Sequence, residues 1–197
     1  MEKRLIAGIK GVNKDVTSRM LPHKLMSYYR RPTFLDIFAQ EAIIISKRST
    51  CLWNEVGAVV FYNGRHSLSS GYNGPAAGDV DPRDAGCARV VKGALKEGQG
   101  FCRGSHAEMN AMGFLTVSTM NLPQISLMVT LRPCFACAKQ IANKGIKEVY
   151  YLWEYEQDDH VVDYLRSLGI KVVRYSSKFI EEWIKHNDYL PPRLKKK

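Results

Sequence analysis

The sequence contains no run of about 18 consecutive apolar residues, which is the length needed to cross a membrane. Its N-terminus is charged and polar and therefore lacks the apolar stretch of a secretory signal peptide. There is no internal repeat, and the only low-complexity stretch is the three lysines at residues 195–197. We therefore expect a protein that has no membrane partner and works in the cytoplasm.

The chain has five cysteines, at positions 51, 87, 102, 134 and 137, too few for a dense disulfide framework. An odd number of cysteines without a secretory signal argues against a disulfide framework and favours metal or thiol chemistry. With 45% hydrophobic residues, the chain is long enough for one domain with a substantial core.

The net charge of +10 lies mainly at the two ends. Residues 1–31 have eight Lys or Arg against two acids (+6), residues 177–197 have six against three (+3), and the middle has fifteen against fourteen (+1). Because the middle is nearly neutral, the count does not support a basic cleft for nucleic acid, although the basic ends leave such binding open. We divide the chain into a basic N-terminal arm (1–31), a central domain (32–176), and a C-terminal helix with a basic tail (177–197).

Local patterns predict how the central domain begins. Apolar residues recur at helical spacing after Thr33, which is a suitable N-cap, and predict a first helix that ends near Lys47. The apolar, β-branched residues 55–62 predict a strand, and a second short strand runs through Leu68. Between them lies Asn63-Gly64, a pair that favours a tight turn, so we expect a β-hairpin.

Helices and strands then alternate. The predicted elements are a helix capped by Ser105, a strand over 124–131, a helix beginning at Pro133, a strand over 148–153, a helix over 160–168 and a strand over 172–175. A terminal helix centred on Trp183 packs on the domain. This order predicts an α/β fold, namely a three-layer α/β/α sandwich around a mixed, mostly parallel five-stranded sheet.

The pattern with the most chemistry is His106-Ala107-Glu108 at one predicted helix start and Cys134 with Cys137 at another. Cysteines three residues apart in a first helical turn can converge on one ion, and the positive helix end favours their thiolates. At a helix N-terminus His106 and Glu108 can both reach over the open end. One imidazole and two thiolates leave the fourth position of a tetrahedral Zn²⁺ open to water.

An open coordination position indicates catalysis, with Glu108 as the acid and base beside it. Zinc lowers the pKa of bound water to about 7, so zinc-bound hydroxide can attack C4 of a cytosine ring. Glu108 then moves the proton of the water to N3 and helps to protonate the departing amine. The alternative is a closed structural zinc site with Glu108 as fourth ligand, but the H-x-E and P-C-x-x-C spacing is that of zinc deaminases.

Several blocks between residues 31 and 175 resemble deoxycytidylate deaminases, members of the cytidine deaminase-like zinc deaminase superfamily. These blocks are residues 31–32, 46–51, 56–59, 71–74, 102–111 and 133–139. The resemblance implies that the central domain is a zinc-dependent deaminase domain that converts a free nucleotide, dCMP, to dUMP and ammonia. It also implies a homo-oligomer, commonly a hexamer, with dCTP and Mg²⁺ as activators and dTTP as inhibitor. We place Val117 on the helix capped by Ser105, at the position where some allosteric relatives have a basic residue, so this regulation stays open.

The same resemblance implies nucleotide contacts at Asn73, Ala107 and Tyr155. For Asn73 the alternative is turn chemistry, since Asn and Gly both tolerate positive φ. For Tyr155 the alternative is an ordinary core or surface tyrosine.

The three remaining cysteines, Cys51, Cys87 and Cys102, predict a second, structural zinc that would pin the long segment before residue 104. Some relatives have such a second zinc. Its fourth ligand is open between His66, Asp84 and water. The alternative is that the three thiols pack as small hydrophobic groups.

Two other functions fit the same site. One is a deaminase that acts on cytosine or adenine in RNA or DNA, which the basic ends would suit and the near-neutral middle does not. The other is a non-catalytic relative stabilised by zinc, which the intact Glu108 disfavours. The sequence leaves open whether dCMP, dCTP or CMP is the substrate.

Overall fold

The first helix of the central domain begins where the sequence places it. In this computed structural model, the described residues are 31–91, 94–95, 102–118, 122–155 and 160–189. Helix α1 spans Phe34–Ser46, and the Thr33 side chain accepts a hydrogen bond from the Asp36 backbone while the Asp36 carboxylate accepts one from the Thr33 backbone. This reciprocal capping box satisfies backbone donors that the first turn leaves open. The predicted cap at Thr33 is confirmed.

A five-stranded sheet forms the centre of the fold. Its strands are β1 (Gly57–Tyr62), β2 (His66–Tyr72), β7 (Ile125–Leu131), β8 (Glu148–Trp153) and β9 (Lys171–Arg174). They lie in the order β2-β1-β7-β8-β9. Strand β1 is antiparallel to both of its neighbours, whereas β7, β8 and β9 are parallel, so four strands share one direction. The predicted mixed, mostly parallel sheet is confirmed.

The hairpin of β1 and β2 has the predicted turn. Asn63 and Gly64 have φ values of 50° and 63°, which is the left-handed conformation that such a turn requires. Strand β2 is longer than the sequence indicates and reaches Tyr72 instead of ending near Leu68.

Helices cover both faces of the sheet. They are α1, α3 (Ala107–Gly113), α4 (Phe135–Asn143), α5 (Val161–Ser167) and α6 (Lys178–Asn187). Because side chains alternate along a strand, Val59 and Phe61 of β1 pack with α1 and α6, whereas Ala58 and Val60 pack with α3, α4 and α5. This is the predicted three-layer sandwich. Trp183 of α6 packs against the α1 side, as expected.

The segment between β2 and α3 contains short elements that the sequence does not reveal. They are β3 (Gly74–Pro75), α2 (Pro82–Ala85), β4 (Val90–Val91), β5 (Ala94–Leu95) and β6 (Gly104–Ser105). Strand β3 pairs with β6, with Gly74 opposite Ser105. This pairing brings the loop after β2 beside the start of α3.

Two predicted details of α3 are wrong. Ser105 does not cap the helix, because its backbone belongs to the β3–β6 pair, and His106 is the N-cap instead. The helix ends at Gly113, so Val117 lies beyond it, 44% exposed, and not on the helix as expected.

The predicted N-terminal arm and C-terminal tail lie wholly or partly outside the described residues. The basic arm up to residue 30 and the tail from residue 190 are not described, so the division into arm, domain and tail stays a prediction.

Among the helices that are described, none has the length and apolar character to cross a membrane.

Candidate metal centre and substrate cavity

Two helix starts meet at the metal site. His106 is the N-cap of α3 and Cys134 is the N-cap of α4, both with extended backbone, and Cys137 lies in the first turn of α4. The backbone carbonyls of the two N-cap residues accept the first hydrogen bonds of their helices. The Asn110 amide donates to the His106 carbonyl, and the Ala138 amide donates to the Cys134 carbonyl. Both N-cap side chains lie at the N-terminal ends of their helices and can be used there to bind a metal.

The three predicted ligands lie within reach of one ion. His106 Nδ1 is 3.2 Å from Cys137 Sγ and 3.4 Å from Cys134 Sγ. Ligand atoms of all three residues lie within 4.8 Å of one another, and no other group of three such residues in the described parts of the chain meets this spacing. One nitrogen and two sulfurs at this spacing fit Zn²⁺ with one position left open.

The surroundings of Cys134 favour its thiolate form. A hydrogen bond from Cys137, supported by His106, lowers the pKa of Cys134 to about 3 against the opposing effect of burial. The same hydrogen bond, together with burial and the nearby Glu108 carboxylate, raises the pKa of Cys137. The hydrogen bond with Cys134 raises the pKa of His106. A thiolate is the form in which cysteine binds a metal.

Glu108 lies in the first turn of α3 and is 4% exposed. Burial raises its pKa, and the positive charge of His106 opposes that effect. General acid–base catalysis requires a carboxyl group that can both accept and return a proton, and a raised pKa favours the protonated form that returns it. The position of Glu108 and the direction of this shift agree with the predicted role, which stays a prediction.

A cavity of about 620 Å³ opens onto these residues. Its lining includes Glu108 and the three residues that the resemblance predicts as nucleotide contacts, Asn73, Ala107 and Tyr155. The structure therefore brings these three to one cavity with the metal site. Whether they contact a nucleotide stays a prediction.

The Asn73 side chain holds a neighbouring loop in place. Its Oδ1 accepts a 2.8 Å hydrogen bond from the Val56 amide, and its Nδ2 donates a 2.9 Å bond to the Asn54 carbonyl. Neither Asn73 nor Gly74 has a positive φ, so the left-handed turn that was the alternative explanation is absent at this described position. Asn73 thus shapes the cavity by fixing Asn54 and Val56, which also line it.

Sequence reasoning missed two residues that organise the cavity. Asn110 donates from its side chain to the Tyr72 carbonyl, and Arg132 donates to the Tyr155 carbonyl. The only sequence signal is their position, because Asn110 follows Glu108 by two residues and Arg132 precedes Cys134 by two. Neither spacing indicates a partner so far away in the chain.

The predicted second zinc site is not assembled in the structure. Cys51, Cys87 and Cys102 all line the cavity, but within the described chain their sulfurs do not form a group with ligand atoms within 4.8 Å. His66 and Asp84 are exposed and do not join such a group. Full burial as small hydrophobic groups is not observed either, since Cys51 and Cys87 are half-buried and Cys102 is exposed.

An α/β/α sandwich in which two helix N-termini present His, Cys and Cys beside a buried Glu is the arrangement of the zinc-dependent deaminases. Residues 33–153 match the family described as the cytidine and deoxycytidylate deaminase zinc-binding region. The chain belongs to this family.

Individual relatives support the same assignment. The chain is 33% identical to ComE operon protein 2 of Bacillus subtilis over 144 residues, which is 72% of this chain and 71% of that protein. It is 31% identical to a deoxycytidylate deaminase of Schizosaccharomyces pombe over 147 residues, 74% of this chain but only 45% of that protein.

A solved structure shows the same fold. The dCMP deaminase of cyanophage S-TIM5, in complex with dCMP and dUMP, is 28% identical with a TM-score of 0.56 and covers 79% of this chain and 99% of its own. The predicted fold class, cytidine deaminase-like, is confirmed.

Proposed function

We propose that the protein deaminates dCMP, consuming one water and releasing dUMP and ammonia. The observation that supports it most directly is the buried Glu108 beside the His106, Cys134 and Cys137 group at the cavity. The relative in S. pombe is a deoxycytidylate deaminase, and the cyanophage neighbour binds dCMP and dUMP. An intact proton carrier argues against a non-catalytic relative.

The residues of the site have distinct roles in this reaction. When bound by His106, Cys134 and Cys137, Zn²⁺ supplies a Lewis acid that lowers the pKa of water. Glu108 accepts a proton from the attacking water and donates it to ring N3. It then accepts the remaining proton of the hydroxyl group added at C4 and delivers it to the amino group, so that C4 becomes a carbonyl and the amine leaves as ammonia. The carboxyl returns to its starting state, so protons and charge balance over one turnover.

The cavity also suits a charged nucleotide. Arg89 and Arg103 are among its lining residues, and the Arg103 guanidinium pairs with Asp79 at the surface, with Nε 2.9 Å from Oδ2. Guanidinium groups favour phosphate recognition. This supports a phosphorylated substrate over a free nucleoside.

A substrate panel tests the function. The zinc-loaded protein is assayed for ammonia release with dCMP, dCTP, CMP, deoxycytidine and a single-stranded cytosine oligonucleotide. We expect kcat/KM for dCMP to exceed that for deoxycytidine at least about tenfold, which corresponds to about 1.4 kcal/mol of phosphate recognition. Turnover of the oligonucleotide in preference to dCMP would establish the nucleic-acid alternative, and no turnover by fully metallated protein would establish the non-catalytic one.

We further propose a homo-oligomer, such as the hexamer of the resemblance, that works in the cytoplasm. Apolar side chains are exposed along α1, where Phe34 is 46% and Ile44 is 56% exposed, and at Phe114, which is 73% exposed. Exposed apolar patches favour association. None of the five cysteines, all of which lie in the described residues, forms a disulfide, which suits a reducing compartment. Light scattering tests the oligomer, and assays with dCTP plus Mg²⁺ or with dTTP test regulation.

A further inference from the structure

Arg132 joins the metal-binding loop to the end of strand β8. It follows the last residue of β7 and precedes Pro133 and Cys134, and it is 8% exposed. Its backbone amide donates a 2.8 Å hydrogen bond to the Trp153 carbonyl. Its guanidinium donates to the Tyr155 carbonyl, and its Nε lies 3.3 Å from the Glu154 carboxylate. One residue thus contacts three consecutive residues, at the point where the ladder between β7 and β8 ends.

The ladder itself does not hold Tyr155. Its last pair joins Leu131 to Trp153, so the backbone beyond Trp153 has no strand partner on this side. The Tyr155 carbonyl accepts a hydrogen bond from the Arg132 side chain. Tyr155 nevertheless lines the substrate cavity. The contact with Arg132 therefore ties this part of the cavity wall to the metal-binding loop.

The chemistry of this contact is specific to arginine. A guanidinium presents several donors in a rigid plane and can reach a carboxylate and a carbonyl at the same time. A lysine ammonium at the same site is a single point of charge and cannot span both groups. Glu154 is itself held by the Tyr151 hydroxyl, which donates a 2.8 Å hydrogen bond to it, so the acceptor of the ion pair is fixed.

We propose that Arg132, which lies two residues before the metal ligand Cys134, is a positioning residue for the nucleotide. By contacting the Tyr155 carbonyl and the Glu154 carboxylate, it holds Tyr155 as a wall of the substrate cavity. The proposal rests on the proposed deaminase function. It does not make Arg132 a catalytic residue, because the described contacts of its guanidinium are with the protein. Its loss changes how the cavity receives the nucleotide more than it changes the reaction.

A double-mutant cycle on the full, zinc-loaded chain tests this role. We expect Arg132→Lys to raise KM for dCMP about tenfold while kcat stays within threefold and zinc content stays at the wild-type value. In a Tyr155→Ala background the same change is expected to alter KM less than twofold, because residues that act as one unit are not additive. Arg174→Lys is the matched control, since Arg174 lies 4.0 Å from the same Glu154 carboxylate and has no bond to Tyr155 among its described contacts. It should leave KM unchanged.

The outcomes separate the proposed deaminase function from the proposed positioning role of Arg132. Turnover of dCMP by the wild-type protein tests the function, and the variants are compared on whichever nucleotide of the panel is turned over. A fall in kcat or zinc content at unchanged KM would show that Arg132 acts on the metal loop and would overturn the positioning role, as would full additivity with Tyr155→Ala. If Arg132→Lys does not fold, Glu154→Gln, which removes one partner of the same guanidinium, is expected to raise KM by a smaller factor, and an unchanged KM there would also overturn it.

Discussion

The side-chain amide of Asn110 donates a 2.7 Å hydrogen bond to the main-chain carbonyl of Tyr72. The helix that carries Glu108 therefore also holds the loop that carries Asn73. Because one neutral hydrogen bond contributes about 1 kcal/mol, we expect Asn110→Ala to raise KM for the nucleotide roughly fivefold and to lower kcat less. Steady-state kinetics measure both. Asn187→Ala removes a similar bond, of 2.8 Å to the Trp183 carbonyl on α6, and should leave KM unchanged.

Glu108→Gln preserves the shape of the side chain but removes its ability to move protons. We expect kcat to fall by about 10²–10⁴-fold, which is the usual contribution of general acid–base catalysis, while zinc content stays the same. Glu41→Gln is a suitable control, because burial also raises the pKa of Glu41 but its side chain binds Ser67 on β2 and does not line the cavity. A variant that keeps more than about a tenth of wild-type kcat contradicts the role of Glu108.

The close approach of β2 to α3 makes Gly71 intolerant of substitution. A Cβ at this position would lie 2.4 Å from the Ala111 amide nitrogen and 2.6 Å from the Ala107 carbonyl oxygen, and both are backbone atoms of the helix that carries Glu108. We expect Gly71→Ala to lower the free energy of unfolding by about 1–3 kcal/mol, as overpacking does. Gly113→Ala is the control, because nothing lies within 4 Å of its Cβ. Urea denaturation compares the two, and equal midpoints would contradict the close approach.

The metal content tests two ligand assignments at once. Cys137→Ala is expected to lose the catalytic zinc, because a site with His106 and Cys134 alone has too few protein ligands. The predicted second zinc requires two zinc ions per chain, falling to one in Cys87→Ser. It also requires Cys51, Cys87 and Cys102 to move closer together than the structure places them. A single zinc in wild-type protein purified without chelator would refute the second site, and full zinc occupancy in Cys137→Ala would refute the first.

The features that the sequence predicts well are local ones. Asn63-Gly64 predicts the hairpin because the turn depends on those two residues, and the Cys134–Cys137 spacing predicts a ligand pair because both lie in one helical turn. His106 joins them only through the fold, but the spacing typical of zinc deaminases reveals it. Ser105 is a good N-cap in isolation, yet its pairing with Gly74 in β3 moves the cap to His106.

Contacts between distant segments are the ones that sequence reasoning missed. Asn110 and Tyr72 are 38 residues apart, and Arg132 and Tyr155 are 23 apart. Each contact uses an ordinary side chain and a backbone carbonyl, and a carbonyl has no sequence signature because every residue has one. Such partners become visible only when the sheet order and the loops between β2 and α3 are known.

Asp36 links the start of α1 to the end of β9 and the start of α6. It is 3% exposed, and it accepts hydrogen bonds from Thr33, from the Tyr175 hydroxyl at 2.8 Å and from the Ser177 hydroxyl. Burial alone would raise its pKa, but the hydrogen bonds from Ser177, Thr33 and Tyr175 outweigh it and hold the pKa below its ordinary value. The carboxylate is thus stabilised more in the folded protein than in the unfolded chain.

Because the pKa of Asp36 is lower in the folded state, the stability that it contributes is fully present above its unfolded pKa of about 3.9 and is lost as the pH falls through the folded value. We expect Asp36→Asn to lower the free energy of unfolding by about 1–3 kcal/mol at pH 7, since an amide cannot accept all of these bonds. The difference from wild type should shrink below about pH 4, because the carboxyl of the unfolded chain becomes protonated there, and should go on shrinking until the pH passes the lowered pKa of the folded protein. Urea denaturation at pH 7 and pH 3 measures both, with Asp163→Asn on the exposed side of α5 as the control. A wild-type advantage of equal size at both pH values would show that Asp36 acts through its shape and not through its charge.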